Sequence, residues 1–120
     1  MTIAGLVCAG NSVSYLNDDK TVTVELPSKA LYAIRVGEAV VVLYNWFGME
    51  ASPDECQANV LAFDRAGSLM WRVQPFDFHE GSAYTGLHRE GDKLVAYVDR
   101  GFEVEVDPAT GRVLSSKFTK

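Results

Sequence analysis

Val60-Leu61-Ala62-Phe63-Asp64-Arg65-Ala66-Gly67-Ser68-Leu69 decides the fold, because the chain repeats it. The second copy runs Glu103-Val104-Glu105-Val106-Asp107-Pro108-Ala109-Thr110-Gly111-Arg112-Val113. In each copy an alternating strand ends in Asp, a turn bearing Gly follows, and a further strand returns. A matching preface precedes each: Val36-Gly37-Glu38-Ala39-Val40-Val41-Val42-Leu43 before the first and Glu90-Gly91-Asp92-Lys93-Leu94-Val95-Ala96-Tyr97 before the second. There a Gly-acid turn opens an apolar strand. A unit repeated in this way buries its apolar faces only against its neighbours, so the repeat predicts stacked sheets.

Outward from these copies the chain reads as short strands. Residues 21–26 alternate, with Val22, Val24 and Leu26 on one face and Thr21, Thr23 and Glu25 on the other. With the strands expected at 3–7 and 13–16, they form an N-terminal hairpin region that reads as a degenerate third copy. The run 39–44 has no polar residue on either face until Tyr44, which predicts a central strand covered on both sides. Strands are also expected at 30–36, 59–64, 69–73, 84–89, 94–98, 102–106 and 112–118. No stretch has amphipathic helical period over ten residues, and Ser52-Pro53-Asp54-Glu55-Cys56-Gln57 has the capping pattern of one turn at most. The expected fold is all-β: antiparallel, blade-like meander sheets in one domain, 1–120, with clear copies at about 30–74 and 84–118.

Asn59-Val60-Leu61-Ala62-Phe63-Asp64-Arg65-Ala66-Gly67-Ser68-Leu69-Met70-Trp71 resembles the strand-turn-strand core of a quinoprotein-type β-propeller blade. The later copy carries the D-x-x-T-G turn of that pattern at Asp107–Gly111, with Ser115 where the Trp would fall. The chemistry of the pattern is local: Asp and Thr side chains bond turn backbone, Gly supplies positive φ, and Trp packs between sheets. A closed propeller needs at least four blades. Two good units and a remnant imply an open partial propeller, a compact two-sheet variant, or a subunit of a larger ring. The resemblance implies no cofactor. Small acidic chains built from truncated blade repeats are also similar in character to immunity proteins of bacterial toxin–immunity systems, which implies a protein-binding role without enzymatic activity.

Charge narrows the partner. Sixteen acids against 11 Lys and Arg give a net charge of −5, which speaks against nucleic acid and anionic membrane surfaces. Between Arg35 and Arg65 there is no Lys or Arg, while Glu38, Glu50, Asp54, Glu55 and Asp64 fall there. One reading is chance and solubility; the other is an acidic surface that steers a basic partner such as a toxin domain. No stretch approaches a membrane span, and the N-terminal residues lack a basic region, so a cytoplasmic location is expected. Cys8 and Cys56 have no metal-ligand spacing and read as buried or half-buried thiols in a reducing compartment.

The two copies disagree at one place. Between its strands the later copy has only Asp99-Arg100-Gly101, whereas the earlier has residues 45–58. Long insertions at one turn of a repeated scaffold often carry binding. Trp46, Phe47 and Met49 beside Glu50, Asp54 and Glu55 have the composition of an interface anchor with an acidic rim. The competing reading is that Trp46 and Phe47 cap an open end of the core. Asp77 and Glu80, in the stretch joining the copies, would extend the acidic surface. Asp77, His79 and Glu80 supply too few ligands for a zinc site, and Ser82 lacks the surroundings of a catalytic serine. No catalytic, metal or cofactor site is expected. Glu103 and Glu105 read as a solvated sheet face with cross-strand ion pairs to Arg100 or Arg112.

Overall fold

A computed structural model describes residues 3–45, 58–74, 83–98 and 101–118. It is all-β: among the described residues there are 11 strands and no helix, arranged as three antiparallel meander sheets, none closed into a barrel. Sheet I holds β1 (Ile3–Ala9), β2 (Ser12–Asn17) and β3 (Lys20–Glu25). Sheet II holds β4 (Ala30–Val36), β5 (Ala39–Tyr44), β6 (Val60–Phe63) and β7 (Leu69–Arg72). Sheet III holds β8 (Tyr84–Glu90), β9 (Lys93–Val98), β10 (Phe102–Val106) and β11 (Val113–Phe118). Within each sheet the spatial order is the sequence order, and each strand pairs antiparallel with the one before it. The N-terminal hairpin region expected as a degenerate copy is a sheet of its own.

Sheet II is the middle layer, and β5 explains why. Val40, Val42 and Tyr44 join a core shared with Val13, Tyr15, Val24 and Leu26 of sheet I and the segment that follows it. Val41 and Leu43, pointing the other way, join Leu87, Leu94, Ala96, Val98, Val104 and Val106 of sheet III. All six β5 residues are buried, so the uninterrupted apolar run is the signature of a strand with a core on each face. Burying each such Val or Leu contributes about 1.5–3 kcal/mol.

The Asp turns lock as the sequence pattern predicts. Asp64 Oδ1 accepts from Ala66 N–H and Ser68 N–H, both at 2.9 Å, and Asp107 Oδ1 accepts from Ala109 N–H at 2.9 Å. Gly67 at φ +89° and Gly111 at φ +77° adopt the left-handed backbone that closes each turn. These turns also join the sheets. Trp71, buried as expected, donates from Nε1 to Pro108 O at 2.9 Å and lies under Gly111. Val22 of sheet I lies under Gly67 in the same way. The equivalent position in sheet III is Ser115, which is exposed.

Two expectations are corrected. Cys8 is exposed rather than buried or half-buried; Cys56 lies outside the described residues. Glu103 pairs with Lys117, its cross-strand neighbour, at 3.5 Å rather than with Arg112; Arg100 lies outside the described residues. Glu38 and Asp64, counted with the acidic stretch, also make contacts within the fold. Glu38 meets Arg65 Nη1 at 3.2 Å, and Asp64 caps its turn.

Candidate functional site

All eight residues expected to contact a partner lie outside the described residues: Trp46, Phe47, Met49, Glu50, Asp54, Glu55, Asp77 and Glu80. His79 and Ser82 do too. What the structure describes is the ground on which the two segments stand, 46–57 and 75–82.

That ground is organised around Asn59, the one fully buried polar side chain among the described residues. Its Nδ2 donates to Tyr44 O at 3.0 Å and to Tyr84 O at 2.8 Å, and its Oδ1 accepts from Tyr84 N–H at 2.9 Å. Tyr44 ends β5 before the first segment, Asn59 follows it, and Tyr84 begins β8 after the second. One amide thus bonds backbone on both sides of segment 46–57 and on the far side of segment 75–82. It bonds three main-chain groups at once.

The remaining root, Gln74, is tied in from three directions. Tyr84 Oη donates to Gln74 O at 2.7 Å, Gln74 N–H donates to Gly111 O at 2.8 Å, and Val113 N–H donates to Gln74 Oε1 at 2.9 Å. Arg72 Nη1 braces the same end, donating to Tyr44 Oη at 2.6 Å and Ala58 O at 3.1 Å. Burial raises the Tyr84 hydroxyl well above its ordinary pKa, so it stays a donor at neutral pH. The result is a rigid bracket under both segments.

The two segments that sequence reading selected therefore share one bracket, a relation that their positions in the chain do not reveal. Asn59 itself was missed as a functional residue. Its signal was present: a lone amide between Ala58 and the apolar run 60–63, at the edge of the insertion.

A second feature was missed altogether. Where β1, β4 and β8 approach one another, a cleft of about 480 Å³ opens, lined by Gly5, Leu6, Tyr32, Ile34, Arg35, His88 and Arg89. Arg89 Nη1 donates to Arg35 O at 3.2 Å, bridging β8 to β4. Among the described residues no group of three or more His, Cys, Asp or Glu is placed to hold a metal ion, and no helix is long and apolar enough to cross a membrane.

Fold and site define a small all-β domain of blade-like antiparallel sheets in which Asn59 ties together the residues that flank segments 46–57 and 75–82. The chain belongs to the family described as "Domain of unknown function (DUF7957)", whose model matches residues 11–118. No curated protein matches it. Among solved structures it is similar to the crystal structure of the computationally designed Ika8 protein, with a TM-score of 0.57 at 15% identity over 98% of this chain. The chain spans 37% of that protein's length. At this identity the likeness speaks for the fold alone.

Proposed function

We propose that this domain is a non-enzymatic protein-binding module whose contact surface is built by segments 46–57 and 75–82. The observation that carries the reading is the Asn59 bracket, which gives two acidic, aromatic-bearing segments a common rigid base. Binding surfaces on rigid scaffolds lose less ordering entropy on association. Trp46, Phe47 and Met49 supply the apolar anchor. Glu50, Asp54, Glu55, Asp77 and Glu80 supply the acidic rim, Glu38 and Asp64 being occupied within the fold.

In its most concrete form the module is a cytoplasmic immunity protein, a partial-propeller chain that neutralises a cognate bacterial toxin by covering its active site. A nuclease toxin suits the charge, because a phosphate-binding groove is basic and the module is acidic. The alternative is a blade-repeat subunit that assembles with itself, or a β domain that binds a small molecule. The far face of sheet III favours the first reading. Val60, Ala62, Trp71 and Val73 face sheet III from sheet II, and their counterparts on sheet III are Glu103, Glu105, Ser115 and Lys117. A polar outer face is how a stack of repeats is terminated.

The test is co-expression with the protein encoded immediately upstream. The reading expects a stable one-to-one complex, relief of that protein's toxicity, and association slowed at least about tenfold by joint Glu50→Lys, Asp54→Lys and Glu55→Lys changes that leave the melting temperature unchanged. A non-toxic neighbour that forms no complex would overturn the immunity reading, and unchanged association would overturn the assigned surface.

A further inference from the structure

Among the described residues the repeat leaves one strand position unfilled. Tyr15 pairs with Val22 in sheet I as Ala62 pairs with Trp71 in sheet II, and Val22 and Trp71 both lie under the turn glycine of the next sheet. By this alignment β1 is the counterpart of β5 and β9. Those strands are paired on their other edge by β4 and β8. Among the described residues sheet I ends at β1: it has three strands where sheets II and III have four. The cleft of about 480 Å³ lies beside this edge, with Gly5 and Leu6 of β1 on one side and Tyr32, Ile34, Arg35, His88 and Arg89 on the others.

We propose that this cleft seats an extended acidic segment of a partner protein, which adds to β1 as the fourth strand of sheet I. An edge strand presents a row of main-chain donors and acceptors, and strand addition uses them for affinity while pockets for alternate side chains set specificity. The lining sets that specificity. On a chain of net charge −5 the cleft gathers Arg35, His88 and Arg89. The nearby Glu90 is engaged by His88 Nε2 at 3.6 Å. A guanidinium has five N–H donors, so Arg89, with one bond to Arg35 O, keeps others for an incoming carboxylate.

The same edge disfavours a second copy of this chain. A bulge between Ala4 and Val7, with Gly5 at φ +67°, interrupts the ladder and leaves residues 7–9 as the regular edge. Bulges blunt open edges against unspecific pairing. The added strand is therefore short and leans on the basic lining for its affinity. This site is separate from the bracketed segments, and its success or failure is independent of theirs.

The probe is an acetylated, amidated octapeptide alternating Glu and Val, titrated into the isotope-labelled protein and followed by NMR. Those amides among residues 7–9 that point away from β2 are expected to exchange more slowly, and resonances of Arg35 and Arg89 to shift. Arg89→Glu, an exposed position, should weaken binding about tenfold while the protein stays folded, as its strand resonances report. A Lys–Val octapeptide should not bind, and an N-methylated Glu–Val octapeptide should bind far more weakly. Absence of binding at millimolar peptide overturns the proposal. Equal binding of the N-methylated peptide overturns strand addition, and equal binding of the Lys–Val peptide overturns the acidic preference.

Discussion

Trp71 and Gly111 are in such close contact that a β-carbon on the glycine would stand 2.5 Å from Cε3 of the indole. That separation is far inside van der Waals contact, and the glycine also sits at φ +77°. The glycine is therefore needed twice, once to close its own turn and once to admit the tryptophan of the preceding sheet.

A double-mutant cycle separates the two needs. Gly111→Ala should destabilise by about 1–3 kcal/mol through overpacking, with a further cost from the left-handed backbone. Trp71→Ala should cost about 3–5 kcal/mol. In the double variant the alanine has room, so the combined loss should fall short of the sum. Urea denaturation measures all three; strict additivity would mean that the glycine acts through its backbone alone.

The polar far face of sheet III makes a second prediction. Changing Glu103→Val, Glu105→Ala, Ser115→Trp and Lys117→Val together rebuilds on sheet III the apolar face that sheet II presents to it. The result should associate in a concentration-dependent way in sedimentation, while the parent chain remains monomeric. A monomeric variant would show that those four side chains do not terminate the stack.

Much of this was legible in the sequence because it is local. The strands at 30–36, 39–44 and 102–106 have the expected ends, and the Asp64 and Asp107 turns close as their residue types require. Pairing across sheets was less legible. Lys117 meets Glu103 because a register shift between Glu105 and Val106 sets it, rather than Ser116, opposite that residue. The cleft was invisible for the same reason, since Tyr32, Arg35 and Arg89 become neighbours only when the edges of separate sheets converge. Asn59 looked like the first residue of a strand, and only the fold reveals three backbone groups waiting for its amide.

Alkaline pH should expose the buried tyrosines. Burial raises the pKa of Tyr84, and burial followed by the charge of Asp64 raises that of Tyr15. An unfolded tyrosine ionises near pH 10, and these ionise higher when folded. Their contribution to stability is complete below about pH 10 and is lost as pH climbs toward the folded values, by up to about 1.4 kcal/mol per pH unit for Tyr84. Tyr84→Phe should flatten that fall and cost about 1 kcal/mol at neutral pH by leaving Gln74 O short of a donor. Urea midpoints between pH 7 and 11 provide the check; a parent and variant that fall in parallel would contradict it.

Asn59 is the position where stability and the proposed binding surface meet. Asn59→Ala removes both donors from Tyr44 O and Tyr84 O and the acceptor from Tyr84 N–H, all in a site closed to water. Each buried group left unsatisfied costs about 1–3 kcal/mol, so a loss of about 3 kcal/mol or more is expected. Asn59→Asp is the sharper variant. Its carboxylate still accepts from Tyr84 N–H, but it cannot donate to the two carbonyls, and it places a charge in the core. It should be at least as damaging at pH 7 and recover partly on acidification, when the protonated carboxyl can donate one bond. Hydrogen exchange at Tyr84 N–H locates the damage. Exposure of that amide ahead of the sheet II core would mark the bracket as a separate opening unit, and the partner affinity of a still-folded variant should fall with it. A change within about 0.5 kcal/mol, the range of ordinary surface substitutions, would remove Asn59 from the argument.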